Sequence, residues 1–297
     1  MKKFLVVFIL FFTLCFNFSF ADNSQIFLEV DKYDNNVVKT TNYNFDYKTD
    51  LFKVYDKTGK KLLLTIYKGN FDYPYEFFVS DNFIYYVKSK EGVGSSIIQT
   101  NLITKKSKII KSYKSIINIA GVRDSDIYHI SSYDNFNPKL QVLNLNTLKD
   151  TFIAEGVGDV QFGKSKIVYR NYRTDVSAKP LYVIGYNYKS PKQISKAVMD
   201  FTTVGGKIYF AESKLIKSSD GQYYGEINNS TVYVCNEDGS GKKALTGNIN
   251  GHITKITADY VEFMSENQSK YYKMNLKTKK TVEFKPSNRW WNINCFH

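Results

Sequence analysis

The sequence predicts an all-β protein of the six-bladed β-propeller class, and three observations predict it. Six stretches read as β-hairpins. Strand-like runs precede most of them at intervals of about 40 to 50 residues, the period of a four-stranded propeller blade. The pattern then runs on without a compositional break, which argues for one domain over residues 22–297.

The first 21 residues stand apart. Lys2 and Lys3 precede an apolar run from Phe4 to Phe16, and Ser19-Phe20-Ala21 supplies a small-residue cut site. This is the pattern of a secretory signal peptide cleaved after Ala21, so a secreted or cell-envelope location is expected. Cys15 imitates the lipid-anchored cysteine of a lipoprotein, but Leu14 stands where that signal needs a small residue. No later stretch approaches the ~20 apolar residues of a membrane span.

The hairpins begin at Leu51, Ile97, Leu140, Leu181, Val232 and Tyr271. Each joins two β-type runs by a short polar turn. Asn101, Asn144, Asn236 and Asn275 close the first strand in four of them, and Thr58, Thr104, Thr147 and Thr278 recur in the turns. Short Asn and Thr side chains can bond the turn backbone, which gives the recurrence a structural cause. Before most hairpins come two further runs, as in "IINIAG" then "DIYHI", or "FTTVGG" then "KIYFA". Four strands per unit and six units follow, with seven as the alternative count. "QIFLEV" at Gln25 and the aromatic tail "RWWNINCF" at Arg289 are the two segments that can close the ring.

The hairpin "VYVCNEDGSGKKALT" resembles the repeat of TolB-type propellers, a strand followed by an Asp-Gly turn and a basic strand. It is also similar to the secreted Gram-positive propellers grouped as a family of unknown function. The resemblance implies the propeller fold and no particular activity, because propellers host many. Nothing outside the repeats looks like the partner-binding N-terminal domain associated with TolB.

Asn236, Asp238 and Ser240, with Gly241 behind them, also imitate the opening of a calcium loop. Such a loop ends on a bidentate Glu at its twelfth position, and Gly247 stands there, so the stretch reads as a turn. No metal or other cofactor is expected. His129, inside "DIYHI", reads as a hydrogen-bonded core or rim residue rather than a base, and Cys235 fills a packing column, with a bond to Cys295 as an alternative. "SSDGQ" at Ser218 echoes the Asp-box of sialidases, but the chain offers only four arginines for the trio that the resemblance implies. A quinone-dependent dehydrogenase, another propeller enzyme, is usually richer in Trp than Trp290 and Trp291 allow.

The net charge of +13 is carried almost wholly by lysine. Nucleic-acid recognition leans on the bidentate Arg fork, so no nucleic-acid partner is expected. Lys60, Lys61, Lys105, Lys106, Lys242, Lys243, Lys279 and Lys280 lie in or beside hairpin tips, which share one face of a propeller. That basic face reads as a solubility device or as a docking surface for an anionic cell-wall polymer or lipid headgroups. The opposite face gathers two long connections, Asn171–Pro180 with Arg173 and Asp175, and Lys214–Ser230 with Asp220, Tyr223 and Tyr224. Long loops on a rigid scaffold are where function concentrates, and tyrosines beside charges suit a sugar or peptide. The expectation is a non-catalytic propeller binding a glycan, peptide or protein at the cell surface. A glycan lyase or glycoside hydrolase is the alternative enzyme, and an interaction scaffold is the third class.

Overall fold

The computed structural model describes residues 37–39, 43–48, 51–56, 60–67, 78–80, 82–90, 93–131, 137–171, 179–217, 219 and 223–285. The expected signal peptide with its cut site at Ala21, the run at Gln25, the tail at Arg289 and Cys295 lie outside the described residues.

Antiparallel meanders account for every strand described. The first is β1 (Val37–Lys39), β2 (Tyr43–Lys48), β3 (Leu51–Asp56) and β4 (Leu62–Tyr67), paired in chain order. The second is β5 (Phe78–Ser80), β6 (Phe83–Lys90), β7 (Gly94–Asn101) and β8 (Ser107–Tyr113). β9 (Ile117–Arg123), β10 (Asp126–Ser131), β11 (Lys139–Asn144) and β12 (Asp150–Glu155) form the third. The fourth and fifth share one seven-stranded sheet. It runs β13 (Val157–Phe162), β14 (Lys166–Asn171), β15 (Lys179–Gly185), β16 (Lys192–Val204), β17 (Lys207–Lys217), β18 (Tyr223–Asn236) and β19 (Lys243–Ala244). The sixth is β20 (His252–Ile256), β21 (Tyr260–Met264), β22 (Tyr271–Asn275) and β23 (Thr281–Phe284). The six hairpins read from the sequence are the third and fourth strands of these meanders.

The shared sheet departs from the sequence reading, which separates the end of the fourth hairpin from the run "FTTVGG". One strand spans both. The first half of β16 pairs with β15 and its second half with β17. The reason is local: Lys192–Val204 contains no Gly, Pro or Asn to stop a strand. At the equivalent junction between β12 and β13 stands Gly156, with φ of 65°.

The core lies between successive meanders. Phe78, Val87 and Ile97 of the second pack on Ile117, Ile127 and Leu143 of the third. Tyr128, Leu140 and Val142 of the third pack on Val157, Ile167 and Ile184 of the fourth. Ala211 and Val232 of the fifth meet Ile253, Val261 and Leu276 of the sixth. Each fully buried Ile, Leu or Val contributes about 1.5–3 kcal/mol of burial free energy, so a sheet detached from its neighbour forfeits several such terms. Cys235 sits in the packing column expected of it, 2 % exposed among Val168, Phe201 and Phe210. Burial pushes its thiol up to about 11.

The recurrent Asn has the role its spacing implies. Asn101 Oδ1 accepts the N–H groups of Ile103 and Thr104, at 2.9 and 2.8 Å. Asn144 Oδ1 does the same for Asn146 and Thr147, and Asn275 Oδ1 for Lys277 and Thr278. The turns then close through the left-handed residues Lys105, Leu148 and Lys279. The leucine after each Asn donates its N–H to the preceding turn of the same meander, as Leu102 does to Asn82 O. Asn144→Ala strips two N–H acceptors from one turn and the bond from Asn144 Nδ2 to Asp126. It is expected to cost about 1–2 kcal/mol, read as a lower denaturation midpoint at unchanged m-value.

Candidate functional site

In an antiparallel meander the connection between second and third strands, and the passage to the next meander, fall on one face. The turns joining strands one to two and three to four fall on the other. By this topology the β14–β15 and β17–β18 connections belong to the same face. Arg173, Asp175 and Asp220 lie outside the described residues. Tyr223 and Tyr224 open β18, and their backbone is paired: Lys217 with Tyr223, Ile216 with Tyr224, Leu215 with Gly225. The stretch Lys214–Ser230, read from sequence as a loop, is thus largely a two-stranded arm. It runs beyond the rest of its sheet, because β16 pairs β17 only as far as Glu212 and the β19 pairing stops at Tyr233. A break in register between Ser213 and Leu215 marks where the arm leaves the sheet. Lys214, Ile216 and Lys217 on it are exposed.

Beside the root of these connections is a polar cluster that the sequence reading did not assemble. β9, β13, the second half of β16 and β20 are the first strands of successive meanders and pack in that order. Each is involved in a register break of the bulge type against the second strand of its meander. Three of these breaks leave Asp159, Asp200 and Lys255 just after the irregular residue. Bulges re-aim side chains and gather at functional rims. Arg170, on β14, donates from Nε and Nη2 to Asp159 Oδ2, and from Nη1 to the carbonyls of Val198 and Met199. It ties β13 and β14 to β16.

Asp200 is held differently. Its Oδ2 accepts the N–H of Ile256 at 2.8 Å, reaching from the fifth meander to the sixth. Burial raises its carboxyl to about 6, against the pull of Arg170 and of the N–H groups of Phe201 and Ile256, and the Asp159 charge adds to the rise. Gln161 bridges the fourth and fifth meanders one level away, donating to Phe201 O at 2.9 Å and accepting Thr203 N–H at 2.8 Å. The cluster was missed because its members lie far apart in sequence and the bulges that align them carry no residue signature.

His129 is the hydrogen-bonded core residue expected. It is 0 % exposed, with Nε2 3.1 Å from Asp150 Oδ1. Tyr113 donates to the same oxygen at 2.9 Å, and Lys111 donates to Asp150 Oδ2 at 2.6 Å. Burial opposes ionisation of Asp150, but the bonds from His129, Lys111 and Tyr113 outweigh it and hold the carboxyl at about 2. The stretch that imitates a calcium loop is a hairpin turn. Asp238 Oδ1 accepts Ser240 N–H at 2.9 Å, Asn236 Nδ2 donates to Ser240 Oγ at 2.8 Å, and Gly239 and Gly241 take positive φ.

On the turn face, Lys60, Lys61, Lys105, Lys106, Lys242, Lys243, Lys279 and Lys280 are all exposed. Lys242 is engaged, 2.6 Å from Glu212 Oε2 and 4.3 Å from the Tyr233 ring centre, and Lys279 Nζ donates to Leu276 O.

Asp200 and Asp150 titrate with opposite sign. Asp200 binds its proton more tightly folded than unfolded, so its contribution is complete below its ordinary value of 3.8 and lost as pH rises through about 6. Asp200→Asn keeps an acceptor for Ile256 and is expected to gain up to about 2 kcal/mol relative to the parent between pH 4 and pH 8, measured by urea unfolding. Asp150 is the reverse: its contribution is present above 3.8 and lost as pH falls through about 2. Asp150→Asn is expected to flatten the acid limb of the stability curve in the same assay.

No family model and no curated protein matches the chain. Solved structures do. A prolyl endopeptidase aligns with 84 % of this chain and 41 % of its own, at 12 % identity and a TM-score of 0.56. Oligogalacturonate lyase in complex with manganese aligns with 84 % of this chain and 73 % of its own, at 13 % identity and a TM-score of 0.51. TolB from Acinetobacter baumannii is also among the neighbours, at 15 % identity over 80 % of this chain and a TM-score of 0.43. The chain spans 60 % of that TolB chain and 41 % of the endopeptidase. At such identities the likeness concerns the fold, and the fold of this chain is an all-β propeller.

Proposed function

We propose that this protein is an exported, non-catalytic β-propeller that binds a glycan or peptide at the cell surface through the face bearing the long connections. The reading takes residues 1–21 as a signal peptide and 22–297 as one six-bladed domain. The observation that carries it is the paired arm of β17 and β18. A strand-paired arm holds Tyr223 and Tyr224 at little conformational cost, which suits a recognition surface better than a loose insertion does. Arg173 and Asp175 belong to the neighbouring connection, which leaves β14 directly after Arg170 and Asn171. Together these residues offer stacking, a fixed positive charge and carboxylates, the chemistry that holds sugars and short peptides.

One observation favours the enzymatic alternative, a glycan lyase or glycoside hydrolase. Asp159 and Asp200 flank one guanidinium on adjacent first strands, and Asp200 has a raised pKa, as a general acid needs. Arg170 and Asp159 are bound to each other, however, and Asp200 is bound to backbone, so the cluster supports the ring better than it supports chemistry.

The test is retention on isolated cell envelopes in high salt, which suppresses charge-driven adsorption. Replacing both Tyr223 and Tyr224 by alanine is expected to weaken retention at least about tenfold, with unfolding unchanged. Retention equal to the parent's rejects the loop-face reading. Release of new reducing ends from envelope polysaccharide, abolished in Asp200→Asn, would establish the enzyme instead.

A further inference from the structure

The turn face carries a feature that neither the loop-face reading nor the needs of folding explain. Lys105, Lys106, Lys149, Lys243, Lys277 and Lys280 are exposed, and none of their ammonium groups has a partner in the described residues. The acids of that face are mostly engaged. Asp126 accepts from Asn144 Nδ2, Asp238 from Ser240 N–H, and Asp124 lies 3.8 Å from Arg123 Nε. Glu237 is buried and accepts the N–H groups of Lys164 and Ser165. Among the described residues of the face, Asp259 is an exposed acid without a side-chain bond of its own. The lysines are presented on fixed supports, because the Asn side chains lock the turns that carry five of the six, all but Lys243.

Charge alone would fit any polyanion, but two of the locked turns also expose apolar side chains. Ile103 is 69 % exposed beside Lys105 and Lys106, and Leu148 is 48 % exposed beside Lys149. Leu148 is doubly unfavourable where it stands. It occupies the left-handed region, with φ of 55°, at a position where Lys105 and Lys279 stand in the sister turns. It thus bears backbone strain while about half of its apolar side chain stays in water. Lys111 reaches from β8 to the carbonyl of Leu148 at 2.9 Å, which links the Leu148 tip to the meander that carries the Ile103 tip.

We propose that this face docks on an anionic lipid surface, with the lysines among the headgroups and Ile103 and Leu148 dipping into the interfacial layer. A soluble polyanion has no use for the two apolar tips, whereas a bilayer interface takes both kinds of side chain at once. The surface is distinct from the loop face and does not depend on what that face binds.

Sedimentation of the purified chain with vesicles tests it. Binding is expected to vesicles containing phosphatidylglycerol, to be absent with phosphatidylcholine alone, and to weaken as salt rises. Lys105→Ala with Lys106→Ala is expected to lower the affinity about 25-fold, from roughly fivefold per lysine. Ile103→Ser with Leu148→Ser is expected to lower it about tenfold at unchanged net charge, with thermal unfolding no lower than the parent's. Alanine at both Tyr223 and Tyr224 is expected to leave vesicle binding unchanged, which separates this surface from the loop face. No binding to anionic vesicles, or binding that the Ile103 and Leu148 pair does not alter, overturns the proposal. Tight binding of inorganic polyphosphate without vesicle binding also overturns it, in favour of a soluble anionic polymer.

Discussion

The packing of each sheet against the next is the constraint on which everything else depends. A four-stranded meander has two faces and no core of its own, so its apolar side chains are buried only when another meander covers them. Ile97 and Ile127, each 0 % exposed, lie on different meanders and reach that burial together. Meanders that must be covered on both faces favour a closed series of sheets, because a linear stack would leave apolar faces at its ends.

Polar side chains then fix how the sheets lie against one another. First strands of successive meanders are not paired by backbone, except where β16 continues from one to the next. Gln161, Asp200 and Arg170 do the joining, each bonding the backbone of the neighbouring meander. At the turn face the Gly163-Lys164-Ser165 turn is gripped from both sides. Arg123 donates to Gly163 O and Lys164 O from the third meander, and Glu237 accepts from Lys164 and Ser165 from the fifth. Gly163 is needed there, since a side chain at that position would run into the Glu237 carboxylate. Polar groups bonded across the sheets in this way specify one arrangement where apolar packing alone would tolerate several.

This division of labour leaves the two faces free for different work. The loop face gains reach from the arm of β17 and β18, which is possible because those strands outrun their partners. The turn face gains uniformity, since three hairpins use one turn design and differ only in what their tips display. The Asp200 carboxyl is perturbed in the opposite direction from Asp150, and both answer to burial and to bonds that reach a neighbouring meander, so their titration reports on how the sheets pack.

The sequence by itself determined the strand content, the hairpins and the turns, because these rest on contacts within a few residues. Asn101, Asn144 and Asn275 could be assigned from spacing alone, and His129 and Cys235 could be recognised as core residues from their place in a strand. It also marked which connections are long. Tertiary structure alone decided that β16 serves two meanders, that Lys214–Ser230 is a paired arm, and that Asp159, Arg170 and Asp200 meet. Those outcomes depend on bulges, strand overrun and contacts between residues 28 to 56 positions apart, where neither periodicity nor turn chemistry leaves a trace. Local bonding is written in local sequence, whereas the alignment of one sheet with the next emerges only when both are folded and packed.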